Sequence, residues 1–128
     1  MKIRNLALLL LFAFTVTANL NAQPNNKRIK FPKGEYSTTI ENACARGEQH
    51  TYLVGAKKGQ TMIVTIMSVE DNAVIQIVDV KTDYYLPGSE DGTDIKRWSG
   101  ELPSSGDYQI IVGSTRGGTE YTLKVTIE

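Results

Sequence analysis

Any chemistry in this sequence has to come from very few side chains. There is one cysteine, Cys44, and one histidine, His50. Zinc sites built from the usual Cys and His sets are out of reach, and a Cys–His or Ser–His hydrolase would rest wholly on His50. Cys44 reads as a small hydrophobe or an incidental free thiol, and His50 as a solvated residue at a strand entrance. Carboxylates cluster in Glu90-Asp91-Gly92-Thr93-Asp94. Calcium favours several oxygen ligands, but the spacing is not that of an EF-hand loop, so the segment reads as a solvated acidic tip. A glycosidase needs two carboxyls facing each other across a sugar-sized cleft, which so small a domain seldom has. The sequence predicts no catalytic residue, no metal ligand and no cofactor: not an enzyme.

Two other features could meet a partner. Arg116 is the one charge in Ser114-Thr115-Arg116-Gly117-Gly118, where small neighbours let another surface approach closely. Its default reading is a solubilising turn charge. Trp98, flanked by Lys96 and Arg97, could stack on a sugar, although its spacing to Gly100 and Leu102 fits a core residue better. Exposed aromatics at Tyr84 and Tyr85 would likewise favour a glycan as ligand.

The elements that must position these residues are strands. After residue 22 the chain holds 18 Val plus Ile against 4 Leu, with 11 Thr besides, and β-branched side chains suit a pleated surface. Period-2 alternation is clearest over Thr119 to Ile127, where Tyr121, Leu123, Val125 and Ile127 share a face. Tyr36–Glu41, Thr51–Ala56, Thr61–Ser68, Ala73–Val80, Arg97–Leu102 and Tyr108–Val112 complete the set. Ala73–Val80 is apolar on both faces and so reads as central. Turns fall between these runs, at Lys57-Lys58-Gly59-Gln60, Glu70-Asp71-Asn72, Pro103 to Asp107 and Thr115 to Gly118, the last closing a terminal hairpin. Pro87-Gly88 forbids a regular ladder across Lys81–Asp94. Nowhere after residue 22 does a 3.6-residue pattern last ten residues. The expectation is an all-β fold: an antiparallel β-sandwich or jelly roll of about seven to eight short strands.

Residues 1–22 read differently. Lys2 and Arg4 precede an apolar run from Leu6 to Val16, and small or polar residues follow to Ala22. That order is a secretory signal peptide, too short to span a bilayer. Cleavage after Ala22 is expected, with Ala18 as the other site, and no Cys follows either, so no lipid anchor is expected. Removing 22 of the 128 residues, Lys2 and Arg4 among them, leaves 106 with a net charge of −2. A mildly acidic domain without a basic stripe is a poor nucleic-acid binder. One thiol gives no disulfide framework, so packing alone must hold the fold. The expected division is a signal peptide over 1–22, a flexible linker over 23–30 and one β-sandwich domain over 31–128.

The stretches "GAKKGQTMIVTI", "WSGELPSSGDYQIIV" and "GGTEYTLKV" resemble the bacterial pre-peptidase C-terminal (PPC) domain, a small exported β-sandwich. Within that group, "YLVGAKKGQTM" and "WSGELPSSGDY" are most similar to the periplasmic inhibitors of g-type lysozyme. The likeness runs from about Phe31 to Ile127. It implies a periplasmic or secreted protein that binds a g-type lysozyme and plugs its cleft with loops. Arg residues in the loop before the last strand take part in that family, which places Arg116, with Ser114, Thr115 and Gly117, at the implied partner-binding site. Enterobacterial members have a longer loop with several Arg. Ser105-Gly106-Asp107-Tyr108 also matches a Ser-Gly-x-Tyr signature of other lysozyme inhibitors, but Tyr108 is in phase with Ile110 and Val112 and should point into the core. A carbohydrate- or envelope-binding module is the alternative that the residues leave open.

Overall fold

A computed structural model describes residues 26–128. Among the described residues are nine strands: β1 (Asn26–Arg28), β2 (Ser37–Cys44), β3 (His50–Ala56), β4 (Thr61–Ser68), β5 (Ala73–Asp79), β6 (Tyr84–Tyr85), β7 (Arg97–Glu101), β8 (Gly106–Ser114) and β9 (Thr119–Ile127). They form two sheets, ordered β1-β3-β8-β5-β6 and β2-β9-β4-β7. The pairings are antiparallel except for β1, which runs parallel to β3. The all-β sandwich expected from composition and alternation is the fold observed.

Alternating apolar positions make the core because successive strand side chains point to opposite faces. Tyr52, Val54, Ile75, Ile77, Tyr108, Ile110 and Val112 from the first sheet meet Met62, Val64, Ile66, Tyr121, Leu123, Val125 and Ile127 from the second. Each fully buried aliphatic side chain here contributes about 1.5–3 kcal/mol relative to exposure.

Tyr108 points into the core as its phase with Ile110 and Val112 predicts, and it makes a corner with the preceding turn. Its ring is fully buried, and its hydroxyl donates to the Ser104 carbonyl (2.7 Å) while accepting from the Ser104 N–H (3.0 Å). The Ser-Gly-x-Tyr stretch is thus structural. Ile75 and Ile77 turn their open backbone edge toward residues 84–95, where the groups of Leu86, Ser89 and Ile95 complete the hydrogen bonds. That segment closes the edge of β5, whose inner face is buried while Gln76 and Val78 on the other are half-buried; β8, not β5, holds the sheet centre.

Three expectations change. Residues 26–30 are not a flexible linker: β1 pairs with β3, Ile29 is buried, and Arg28 grips Asp107 through two hydrogen bonds of 3.0 and 2.8 Å. The bond to Arg28 holds the Asp107 carboxyl below its ordinary value, and the partner raises Arg28. The proposed cleavage site and residues 1–22 lie outside the described residues. The second change is that Thr115–Gly118 does not close a hairpin. β8 pairs with β3 and β5, whereas β9 pairs with β2 and β4, so the turn arches from one sheet to the other. Alternation and turn residues look the same in both arrangements. The third is Tyr84–Tyr85, expected to be irregular, which forms a two-residue strand against Val78 and Asp79.

Candidate functional site

Register puts the loops at two ends. Cys44 lies opposite Thr119, Ser68 opposite Tyr121, His50 opposite Val112 and Ala73 opposite Ser114. The β2–β3, β4–β5 and β8–β9 connections therefore share one end of the sandwich. The other end holds the β3–β4 and β7–β8 turns, including Ser105 and Gly106, so the Ser-Gly-x-Tyr stretch and Arg116 are on opposite ends.

Arg116 is exposed but not loose. One Nη2–H donates to the carbonyl of Glu70 at 2.9 Å. The backbone beneath it is fixed by Asn72, which is almost fully buried. The Asn72 side-chain amide N–H groups donate to the carbonyls of Arg116 and Gly118, both at 2.9 Å, and the Asn72 backbone carbonyl accepts from the Thr115 N–H at 2.8 Å. Ser114 tightens the arch from within, its hydroxyl donating to the Arg116 carbonyl (2.8 Å) and accepting from the Arg116 N–H (3.2 Å). Gly117 has φ +60°, a left-handed geometry that a side chain would strain. Of the four residues predicted from sequence, Thr115, Arg116 and Gly117 are exposed and Ser114 is half-buried; Ser114 and Gly117 shape the turn that presents the other two. Asn72 was missed. The Glu70-Asp71-Asn72 turn was visible, but its tie to a loop more than 40 residues away was not.

Beside this arch, the end of β2 and the start of β3 enclose a polar cluster. His50 is not solvated: its side chain is only 12% exposed. Its Nδ1 lies 2.8 Å from the Tyr121 hydroxyl, which in turn bonds the Tyr52 hydroxyl. Its Nε2 lies 3.4 Å from a Glu48 carboxylate oxygen. Cys44 is buried, and its thiol donates to the Glu48 carbonyl at 3.1 Å. Burial, and then the Glu48 charge, push the Cys44 thiol up. A protonated, buried thiol is the reverse of an activated nucleophile, so the nearness of Cys44 and His50 makes no hydrolytic dyad.

The remaining candidates are placed plainly. Trp98 lies on the inner face opposite Val64, half-buried at the sheet edge, its indole Nε1–H donating to the Pro87 carbonyl at 2.9 Å. Tyr84 and Tyr85 are adjacent in one strand and project to opposite faces, so they make no joint platform for a sugar. In the acidic tip, Asp91 accepts from Gln76 and Glu90 from the Gly88 N–H, both carboxylates engaged locally.

These features define a class: a small β-sandwich whose connecting loops gather at its two ends. A relative from Escherichia coli (strain K12), an inhibitor of g-type lysozyme, is 30% identical over 112 residues, covering 86% of this chain and 76% of that protein. The chain belongs to the family of inhibitors of g-type lysozyme. Among solved structures, Aeromonas hydrophila PliG, a periplasmic inhibitor of g-type lysozyme, superposes with a TM-score of 0.70 at 26% identity, over 83% of this chain and 98% of that one. The pre-peptidase C-terminal domain of a Bacillus anthracis collagenase reaches a TM-score of 0.61 over 84% of this chain and 99% of its own. At 14% identity that likeness is one of fold alone. No family profile matches the sequence. Both resemblances read from the sequence, to the PPC domain and to these inhibitors, are borne out.

Proposed function

We propose that the protein is exported by the signal peptide over 1–22 and acts in the periplasm, where it binds a g-type lysozyme and obstructs its substrate cleft with the end of the sandwich that carries Arg116. The protein is not an enzyme in this reading. The observation that carries the loop assignment is that Arg116 is exposed yet held in place by Glu70 and Asn72. A side chain ordered before contact loses less entropy on binding. One guanidinium N–H is spent on Glu70, which leaves others for a carboxylate, and lysozyme-type clefts carry carboxylates. Thr115 and the small residues around it let the wall of the cleft come close.

The test is an inhibition assay of the purified protein against goose, chicken and invertebrate lysozymes. Inhibition of the g-type enzyme is expected. Arg116→Ala should weaken it by about 2 kcal/mol, roughly thirtyfold, and Arg116→Lys should recover only part, since an ammonium cannot supply the paired fork. A wild-type protein that inhibits no g-type enzyme overturns the function. Equal inhibition by wild type and Arg116→Ala removes Arg116 while the function stands.

A further inference from the structure

We propose that Cys44, Glu48 and His50 form a metal site that takes one zinc ion per chain, with water in the fourth position. Counting Cys and His in the sequence hides this site, because its third ligand is a carboxylate in the intervening turn. One ligand atom from each residue lies within 4.8 Å of the other two. A tetrahedral zinc with bonds of about 2.0–2.3 Å needs ligand atoms about 3.3–3.8 Å apart. The Glu48–His50 edge is already 3.4 Å, so it is the edges to the Cys44 sulfur that must contract, by up to about 1.5 Å, with the half-exposed Glu48 carboxylate on its turn supplying part of that movement.

Thiolate, imidazole and carboxylate suit zinc and not the hard cations magnesium and calcium. A thiolate and a carboxylate also balance the two positive charges. Three protein ligands leave a place for water, as in open zinc sites. The surroundings fit as well. Metal-bound imidazoles commonly donate their other N–H to a neighbour, and His50 Nδ1 already sits 2.8 Å from the Tyr121 hydroxyl. Zinc on Nε2 would fix the hydrogen on Nδ1 and make it the donor to Tyr121. The Tyr121 and Tyr52 hydroxyls can each donate or accept, so their chain can reverse.

Thr119 stands directly opposite Cys44, is buried, and its hydroxyl has no hydrogen-bond partner among the described residues. On that face it is within reach of a thiolate or a metal-bound water. Cys44 and Glu48 line an open cleft of about 500 Å³, and Glu48 and His50 line a second one, so the site is approached from solvent on the Glu48 side. Two contacts must yield: the thiol gives up its hydrogen bond to the Glu48 carbonyl, and the Ala45 N–H, which donates to the Glu48 carboxylate at 2.8 Å, must follow that group or let it go. The thiol's proton leaves to solvent as the sulfur–zinc bond forms, so binding releases a proton.

The experiment is a titration of the purified, reduced protein with zinc, followed by calorimetry in two buffers of different protonation enthalpy. Cobalt serves as a spectroscopic stand-in. One zinc per chain is expected, with proton release, and the cobalt form should show a thiolate charge-transfer band and the strong visible bands of four-coordination. Cys44→Ser and His50→Ala should each weaken zinc at least tenfold, and Tyr121→Phe by a smaller factor as a positioning residue. Glu48→Gln lies on an exposed turn and cannot fail merely by unfolding the core, so it keeps the test decisive. Absence of the charge-transfer band, or zinc affinity unchanged in Glu48→Gln, overturns the site. No lysozyme enters this measurement, so its outcome is independent of the inhibitor reading.

Discussion

At the scale of single residues, Asn72 carries more than its place in a turn implies. Its buried amide is the donor for two carbonyls of the Arg116 arch. Asn72→Ala should leave those carbonyls unpaired and lower stability by about 1–3 kcal/mol in denaturant unfolding. It should also weaken inhibition, because Arg116 loses its fixed base. Asn72→Asp should do no better, since a carboxylate cannot donate. An Asn72→Ala protein with unchanged midpoint and unchanged inhibition would show that the arch holds itself. Tyr108 was legible in the sequence because its corner partner, Ser104, is four residues away. His50 was misread as solvated because its partner, Tyr121, is 71 residues away, and nothing in local pattern reports such a pairing.

Strands were the most legible elements. Thr61–Ser68 and Thr119–Ile127 stand where alternation put them, since burial of one face enforces the pattern in the residues themselves. The pairing partners were not legible, which is why an arch was read as a hairpin. β1 was missed because its three residues are exposed and polar; what holds it is the parallel ladder to β3 and the Arg28–Asp107 pair. On β7, Gly100 gives a test of how the sheet edge is closed. A Cβ there would sit 2.8 Å from the Trp98 ring, whose nitrogen is bound to Pro87. Gly100→Ala should therefore displace the indole and cost about 1–3 kcal/mol. Trp98 is the single tryptophan, so a red shift in emission would report the displacement directly, and unchanged emission with full stability would show that the edge has slack.

For the molecule as a whole, composition and alternation were enough to give two sheets and no helix, and the quoted motifs gave the family. The loop end that presents Arg116 and the cluster behind it emerge only when both sheets are assembled. The same assembly sets a constraint on time. Apart from the small β5–β6 ribbon, the turns from β2 onward pass the chain from one sheet to the other, so neighbours in sequence do not become neighbours in a ladder. Ser37 pairs with Thr126, 89 residues on. Nearly every native ladder must wait for a long loop to close, a high contact order that places refolding on the order of milliseconds to seconds. Stopped-flow emission from Trp98 should show it, and a phase complete within microseconds would contradict it. For a chain that leaves the cytoplasm as proposed, slowness is useful: it remains open long enough to be threaded across a membrane. With a single thiol, it then closes on the far side with no oxidative step to wait for.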